Sequence, residues 1–230
     1  MKDLYIIHGW TYNVKPWESV IVDLGALGVN AELLKVPGLG EPSDKVWTIE
    51  DYVAWADAKI PHGAVALGHS NGGRILLNLL AQHGSDRLGG LILLDSAGIY
   101  EESNKRNIAK KLSKTFAPLK KNPLIRKAVH KVLGASDYDK APENMKQTLD
   151  NMINSDKELD CSKITTKTQI IWGSDDTITP LRQGKKLHEQ LANSELCVKE
   201  GWRHSHYLTS TKELAAEIAK QLEKLRSQTT

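Results

Sequence analysis

One stretch decides how this chain is interpreted: Ala64-Val65-Ala66-Leu67-Gly68-His69-Ser70-Asn71-Gly72-Gly73. It contains the motif G-x-S-x-G, preceded by an apolar run of strand length and followed by a helical pattern from Arg74. Such a serine lies on a sharp strand-to-helix turn, where the start of the helix favours developing negative charge. Side chains at Gly68 or Gly72 would collide with the adjacent strand or helix. The stretch therefore predicts that Ser70 is a nucleophile.

Short apolar runs alternate with helical patterns on both sides of this motif. The predicted strands are Leu4–Ile7, Glu32–Val36, Ala64–Gly68, Leu91–Asp95, Thr168–Trp172 and Ser194–Val198. The predicted helices are Trp17–Leu27, Ile49–Ile60, Gly72–His83, Leu181–Leu191 and Lys212–Leu225. This alternation predicts an α/β fold, with a mostly parallel sheet of about six strands flanked by helices.

The alternation stops between residues 100 and 165, where three amphipathic helical patterns replace strands. The first two lie within 108–119 and 125–133, and the third spans 145–153, with Pro142 suited to its first turn. Residues 101–134 hold ten Lys and Arg against two Glu, a balance of 10 − 2 = +8 within a chain of net charge +3. We expect a basic helical cap at 100–165, inserted in a core formed by 1–99 and 166–230.

Composition excludes several classes of protein. The chain has 230 residues, 40% hydrophobic and 26% charged, which is typical of a globular protein with a full core. Cys161 and Cys197 match no metal or CxxC spacing, and no signal peptide or run of about 18 apolar residues is present. Lys and Arg accompany no nucleic-acid motif. We therefore expect a cytoplasmic protein without nucleic acid partners or integral membrane association; the oligomeric state is left open.

A nucleophilic serine requires a histidine base, and that histidine requires a carboxylate to fix its tautomer. Both are expected at later strand ends. The acidic turn after the fifth predicted strand offers Asp175 and Asp176, of which we favour Asp176. The segment after the last strand offers His204 and His206, of which we favour His204.

The order Ser70, Asp176, His204 is similar to that of the α/β-hydrolase superfamily, and the resemblance covers essentially the whole chain. Residues Gly173–Pro180 resemble the family pattern G-x-x-D-x-x-x-P, which implies Asp176 as the acid. Some members place the acid at the position of Asp95, which stays an alternative.

The histidine segment departs from the family pattern. The family shows G-H or a near variant, whereas two residues separate Gly201 from His204 here, so His206 stays an alternative base. The loop motif that contributes to the oxyanion hole in the family already follows the first predicted strand of this chain. The strands that usually precede this motif in family members are therefore expected to be absent.

That motif is His8-Gly9-Trp10, which resembles the family's H-G-x loop. The resemblance implies an oxyanion hole formed by the backbone N–H groups of Trp10 and Asn71. Gly9 would permit close approach, and His8 would orient the loop. Together with Trp17 they are the substrate-binding candidates.

Two residues that lie within or directly after the G-x-S-x-G stretch remain to be interpreted. His69 is interpreted as a packing residue beneath the site. Arg74 could pair with either Asp95 or Asp176, and the sequence does not choose between them.

These residues predict acyl transfer to water, in a serine hydrolase that cleaves small to medium acyl, aromatic or lactone esters through an acyl-serine. A thioesterase, a C–C bond hydrolase and a lyase on the same residues remain alternatives, as does a non-catalytic binding module. No cofactor is implied, because the glycine loops match no nucleotide motif. No metal is implied either, because the other histidines lack ligand spacing.

Overall fold

The structure is a computed structural model that describes residues 2–100 and 141–227. One sheet of six parallel strands runs through it, in the order β2-β1-β3-β4-β5-β6. The strands are β1 (Leu4–Ile7), β2 (Ala31–Leu34), β3 (Val65–His69), β4 (Gly90–Leu94), β5 (Thr168–Gly173) and β6 (Ser194–Lys199). The predicted parallel sheet of about six strands is confirmed.

Six α-helices connect or follow the strands within the described residues. They are α1 (Lys15–Ala26), α2 (Ile49–Lys59), α3 (Asn71–His83), α4 (Glu143–Ser155), α5 (Leu181–Gln190) and α6 (Thr211–Ser227). Short 3₁₀ turns lie at Ser85–Arg87 and His206–Leu208. The third helical pattern of the predicted cap corresponds to α4, and Pro142 is the residue just before it rather than part of its first turn. The first two patterns lie outside the described residues.

The core lies on both faces of the sheet because neighbouring strand residues point to opposite sides. In β1, Ile7 packs with the apolar residues of α2 and α3, whereas Ile6 packs with those of α1 and α6. Parallel strands covered on both faces are expected to be apolar throughout, and all five residues of β4 are buried.

Helix α4 is attached to the loop that precedes α2. Met145 and Met152 are buried in the core, and Met145 lies against Gly38, where a Cβ would be 2.4 Å from its Sδ. The Trp47 N–H donates to Thr148 Oγ1 at 2.9 Å, and Asn144 Nδ2 donates to the Ser43 carbonyl at 3.0 Å. The end of the segment between β4 and β5 is therefore packed on the core.

Two further findings concern the described residues. Cys161 and Cys197 are both free thiols, the first buried and the second half-buried. In the ranges 2–100 and 141–227, none of the helices combines the length and apolar character needed to traverse a bilayer.

The carboxyl ends of the strands meet along one edge of the sheet, where open α/β sheets bind their ligands. Ser70 follows β3, Asp95 follows β4, and Asp176 lies in the turn after β5. His8 follows β1, and His204 lies in the segment after β6. The fold thus places these five residues along one edge of the sheet.

Candidate active site

Ser70 lies at a strained turn between β3 and α3. Its φ is 52° and its ψ is −117°, a combination that residues with side chains rarely adopt. A Cβ on Gly68 would lie 2.5 Å from the Gly73 Cα, and one on Gly72 would lie 2.1 Å from the Ile7 carbonyl oxygen. The predicted collisions at both glycines are therefore present, and glycine allows the sharp turn that exposes the serine.

The structure brings Ser70, His204 and Asp176 into one hydrogen-bonded chain. His204 Nε2 lies 3.0 Å from Ser70 Oγ, and His204 Nδ1 lies 2.7 Å from Asp176 Oδ2. Because a carboxylate can only accept, Nδ1 carries the proton and Nε2 is free to accept from the serine hydroxyl. This is the geometry required of a nucleophile, its base and the group that orients the base.

The Asp176 side chain is completely buried, yet it accepts several hydrogen bonds. Its Oδ1 accepts from the N–H groups of Ile178 at 2.7 Å and Thr179 at 3.0 Å. Burial raises the pKa of Asp176, but the charge and hydrogen bond of His204, with bonds from Thr179 and Ile178, outweigh it and lower the pKa overall. Asp176 is thus held as a carboxylate.

His204 shows the complementary shift. Burial lowers the pKa of His204, but the charge of Asp176 and its hydrogen bond raise the pKa by more than burial lowers it. The pKa of His204 therefore lies above the ordinary 6.5. The imidazolium that forms when His204 takes a proton from Ser70 is therefore stabilised by its partner.

Asp95, the alternative acid, is buried at the end of β4 with a φ of 44°. Its Oδ1 accepts from the Gly173 N–H at 2.8 Å, and its Oδ2 is buried with no hydrogen-bond partner within residues 2–100 and 141–227. The pKa of Asp95 is raised well above its ordinary value, mainly by burial and secondly by the charge of the neighbouring Asp176. Among the described residues, its carboxyl group makes no hydrogen bond to His204.

The remaining alternatives lie away from the hydrogen-bonded chain. The His206 ring stacks on Trp202 with centroids 3.7 Å apart, and its Nε2 lies 3.2 Å from Glu213 Oε2. Asp175 is exposed and accepts from the Ser174 hydroxyl at 3.0 Å. The structure thus brings together the favoured residues and not His206 or Asp175.

The loop after β1 packs directly against the serine turn. A Cβ on Gly9 would lie 2.8 Å from His69 Nδ1 and 2.9 Å from Ser70 Cβ, so Gly9 permits the close approach. His8 is buried; its Nδ1 donates to the Gly9 carbonyl at 2.8 Å, and its Nε2 accepts from the Val36 N–H at 3.0 Å. Burial lowers the pKa of His8 to about 4, so a neutral ring orients this loop.

The two predicted oxyanion donors belong to segments that flank Ser70. Asn71 is the first residue of α3, and Trp10 lies in the loop that Gly9 brings against the serine. Within the described ranges, neither backbone N–H donates to a protein acceptor. Both amides therefore remain available for an oxyanion.

Trp17 does not face the site. It is 0% exposed, stacks on Tyr207 with centroids 4.9 Å apart, and lies 5.5 Å from the His69 ring. Its role is therefore packing beneath the active-site residues, which corrects the expectation that it contacts substrate. Helix α1 carries it into the core because Trp17, Val20 and Leu24 share the buried face.

His69 packs beneath the site, as expected, but it also makes a specific bond. Its Nε2 donates to the His204 carbonyl at 2.8 Å. Burial lowers the pKa of His69 to about 3, so the ring is neutral. His69, the residue before the nucleophile, therefore holds the backbone of His204 in place.

Arg74 pairs with neither Asp95 nor Asp176. Its Nε and Nη2 donate to Asp156 at 2.6 and 2.7 Å, and its Nη1 donates to Asn71 Oδ1 at 2.6 Å. Asp156 directly follows α4, 82 residues from Arg74. No local pattern connects them, which is why sequence reasoning missed this partner.

Sequence reasoning also missed Thr179, which lies in the turn that carries Asp176. Its hydroxyl is 2.7 Å from Asp176 Oδ2 and 3.1 Å from His204 Nδ1. A hydroxyl residue three positions after the acid is the signal that could have indicated it. Across residues 2–100 and 141–227, no three His, Cys, Asp or Glu side chains gather as a metal site.

The family profile described as the alpha/beta hydrolase fold matches residues 4–211. The chain belongs to the α/β-hydrolase fold family. A curated relative, the pimeloyl-[acyl-carrier protein] methyl ester esterase of Neisseria meningitidis serogroup C, is 28% identical and aligns over 94% of this chain and 91% of its own length.

Solved α/β-hydrolase structures share the fold of this chain. An esterase from Exiguobacterium antarcticum has a TM-score of 0.72 at 20% identity, covering 97% of this chain and 92% of its own. A 2-hydroxy-6-oxo-6-phenylhexa-2,4-dienoate hydrolase from Rhodococcus has a TM-score of 0.71 at 16% identity, covering 97% and 90%. At these identities the likeness concerns the fold alone.

Proposed function

We propose that this α/β-hydrolase cleaves small to medium carboxylic esters through an acyl-serine formed on Ser70. The observation that carries the proposal is the chain of two hydrogen bonds from Ser70 to His204 and from His204 to Asp176. At the coarser level supported by the hydrolase fold and by the curated relatives named esterases, the protein is an ester-bond hydrolase.

In the first half of the reaction, Ser70 Oγ attacks the ester carbonyl while His204 Nε2 takes its proton. Asp176 stabilises the imidazolium without itself taking the proton. The carbonyl oxygen becomes negative and accepts from the N–H groups of Trp10 and Asn71. When the tetrahedral intermediate collapses, the C–O bond breaks, and His204 gives its proton to the departing alcohol.

In the second half, water takes the place of the alcohol. His204 removes a proton from the water as its oxygen attacks the acyl-serine, and the same two amides stabilise the second oxyanion. Collapse breaks the bond to Ser70 Oγ, which regains a proton from His204. The products are a carboxylic acid and an alcohol, and no cofactor is required.

For the substrate, we propose that methyl esters of acyl chains are included. The supporting observation is that several curated relatives are named pimeloyl-[acyl-carrier protein] methyl ester esterases, from different Neisseria meningitidis serogroups. The predicted cap at 100–165 would shape the acyl pocket. Aromatic and lactone esters stay within the proposed class.

The experiment is hydrolysis of p-nitrophenyl and methyl esters of increasing acyl length by the wild type and three variants. We expect Ser70→Ala and His204→Ala to lose about 10⁴-fold or more in kcat/KM. His206→Ala is the matched control, and we expect it to stay within about threefold, because its ring pairs with Glu213.

Several outcomes would contradict the proposal. Absence of turnover by the wild type on every ester, or equal turnover by Ser70→Ala, would exclude acyl-serine chemistry and favour a binding module. Faster turnover of acyl thioesters or of a C–C substrate than of any ester would retain the Ser70 mechanism and change the substrate class. Loss in His206→Ala rather than His204→Ala would reassign the base.

A further inference from the structure

The Thr179 hydroxyl lies at the junction of the acid and the histidine. Its Oγ1 is 2.7 Å from Asp176 Oδ2, 3.1 Å from His204 Nδ1 and 3.0 Å from the Asp95 carbonyl oxygen. Thr179 is 7% exposed, so water does not compete freely for these contacts.

The hydrogen atoms at this junction can be assigned by counting. Asp176 is a carboxylate, so His204 Nδ1 carries a proton and directs it towards Oδ2 and the Thr179 oxygen. The hydroxyl has one hydrogen, which it donates to Asp176 Oδ2, the closer acceptor at 2.7 Å against 3.0 Å for the Asp95 carbonyl. Its lone pairs accept from Nδ1. A single hydroxyl therefore contacts both members of the pair with the polarity that each one needs.

The hydroxyl is itself held in place by the backbone of its own residue. The Thr179 N–H donates to Asp176 Oδ1 at 3.0 Å, and its carbonyl accepts from the buried Trp172 indole at 2.8 Å. Pro180 follows, fixing one backbone angle before α5 begins. The branched side chain also restricts the rotamer. The hydroxyl is therefore preorganised before His204 moves a proton.

We propose that Thr179 is a positioning residue that keeps the Asp176 carboxylate and His204 Nδ1 in alignment through its hydroxyl. The proposal rests on the proposed function, because alignment matters only if His204 acts as the base. Thr179 does not contact Ser70 Oγ and takes no proton in the reaction. The other titratable groups that face this junction are Asp95 from β4 and His69 from β3.

A competing explanation is that the hydroxyl only ties the turn after β5 to the Asp95 carbonyl. Two substitutions separate these roles. Thr179→Val keeps the branched shape and the backbone bonds but removes the hydroxyl. Thr179→Ser keeps the hydroxyl and removes only a methyl group. It is therefore the conservative variant, expected to retain the activity that Thr179→Val loses.

The test is steady-state hydrolysis of p-nitrophenyl acetate by the wild type and both variants. We expect Thr179→Val to lower kcat about tenfold with KM within about twofold, because one hydrogen bond to an ionised group is removed. We expect Thr179→Ser to stay within about threefold of the wild type in kcat.

A second measurement does not depend on activity. In ¹H NMR spectra, the Nδ1 proton of His204, assigned by its loss in His204→Ala, is expected downfield in the wild type and in Thr179→Ser. It is expected to shift or broaden in Thr179→Val. If the wild type hydrolyses no ester, the proposed function fails, and this signal still tests whether the hydroxyl aligns the pair.

Three results would overturn the role of Thr179. The first is a kcat of Thr179→Val within twofold of the wild type with an unchanged proton signal. The second is an equal loss in Thr179→Val and Thr179→Ser, which would indicate packing. The third is a loss confined to KM. Should Thr179→Val fail to fold, Thr179→Ala takes its place in both measurements, and its comparison with Thr179→Ser decides.

Discussion

Strands β4 and β5 lie side by side, and each is followed by a buried aspartate: Asp95 after β4 and Asp176 in the turn after β5. Asp176 accepts hydrogen bonds from two backbone N–H groups and from a histidine. Asp95 accepts from one N–H, and its second oxygen has no hydrogen-bond partner in the part of the chain that the structure describes. The pKa of Asp176 is lowered, and that of Asp95 is raised.

Burial alone does not decide the protonation state of a carboxyl group. Both side chains lose water, which by itself raises the pKa of each. For Asp176, its hydrogen-bond donors and the His204 charge outweigh this effect, whereas for Asp95 the His204 charge and the Gly173 N–H do not. The tight turn after β5 supplies these donors because its N–H groups point inward, whereas Asp95 faces the Asp176 charge.

The largest expected effect concerns activity. Asp176→Asn should lower kcat by about 10⁴-fold, because an amide cannot hold the productive tautomer of His204 or stabilise its charge. Asp95→Asn should retain activity within about tenfold, because its Oδ1 can still accept from the Gly173 N–H. Ester hydrolysis by the two variants measures this. The reverse order of losses would make Asp95 the acid.

The next effect concerns the pH dependence of kcat/KM, which reports ionisation of the free enzyme. His204 must be neutral to act as a base, and its pKa is raised above 6.5, so activity should rise with pH through an apparent pKa above that value. If Asp95 is protonated, Asp95→Asn should leave this midpoint unchanged. A downward shift of the midpoint by more than about half a pH unit would show that Asp95 carries a charge, since an ionised Asp95 raises the pKa of His204.

The smallest effect concerns stability. Because the pKa of Asp95 is raised on folding, folded wild type keeps a proton that the unfolded chain has lost, and its stability falls as pH rises above the ordinary value of 3.8. Asp95→Asn removes this dependence. Its stability relative to wild type should therefore improve as the pH rises above 3.8 towards the raised pKa of the folded state, by at most about 1.4 kcal/mol per pH unit. Urea denaturation measures this, and parallel pH profiles for the two proteins would contradict a neutral Asp95.

Sequence alone predicted the parts of the site that depend on local geometry. The collisions at Gly68 and Gly72 follow from the sharp turn at Ser70, and the structure contains them. The acidic turn that holds Asp175 and Asp176 follows from a strand that ends at Gly173 and a proline just before the next helix, whereas the choice of Asp176 follows from the resemblance to the family pattern. These features are short-range, so residue types and spacing suffice to find them.

What sequence could not predict depends on contacts between distant segments. Of the two residues between Gly201 and His204, Trp202 accepts through its carbonyl from the Asp175 N–H at 3.0 Å, so this departure from the family pattern joins the histidine segment to the acid turn. Helical spacing places Trp17 on the buried face of α1, but its stacking on Tyr207, which also contacts His69, joins segments that are distant in sequence. Neither this contact nor the bond between Trp202 and Asp175 can be inferred from spacing.

The pair formed by Arg74 and Asp156 constrains how this protein can be redesigned. Both side chains are buried, and removal of one partner of such a pair typically costs about 3–5 kcal/mol, because the other charge is left without compensation. Exchange of the segment between β4 and β5 with that of a relative would therefore have to end before Asp156. A graft that replaced Asp156 would also remove the acceptor of two of the hydrogen bonds that orient the Arg74 guanidinium, whose third bond holds the side chain of Asn71 beside the nucleophile.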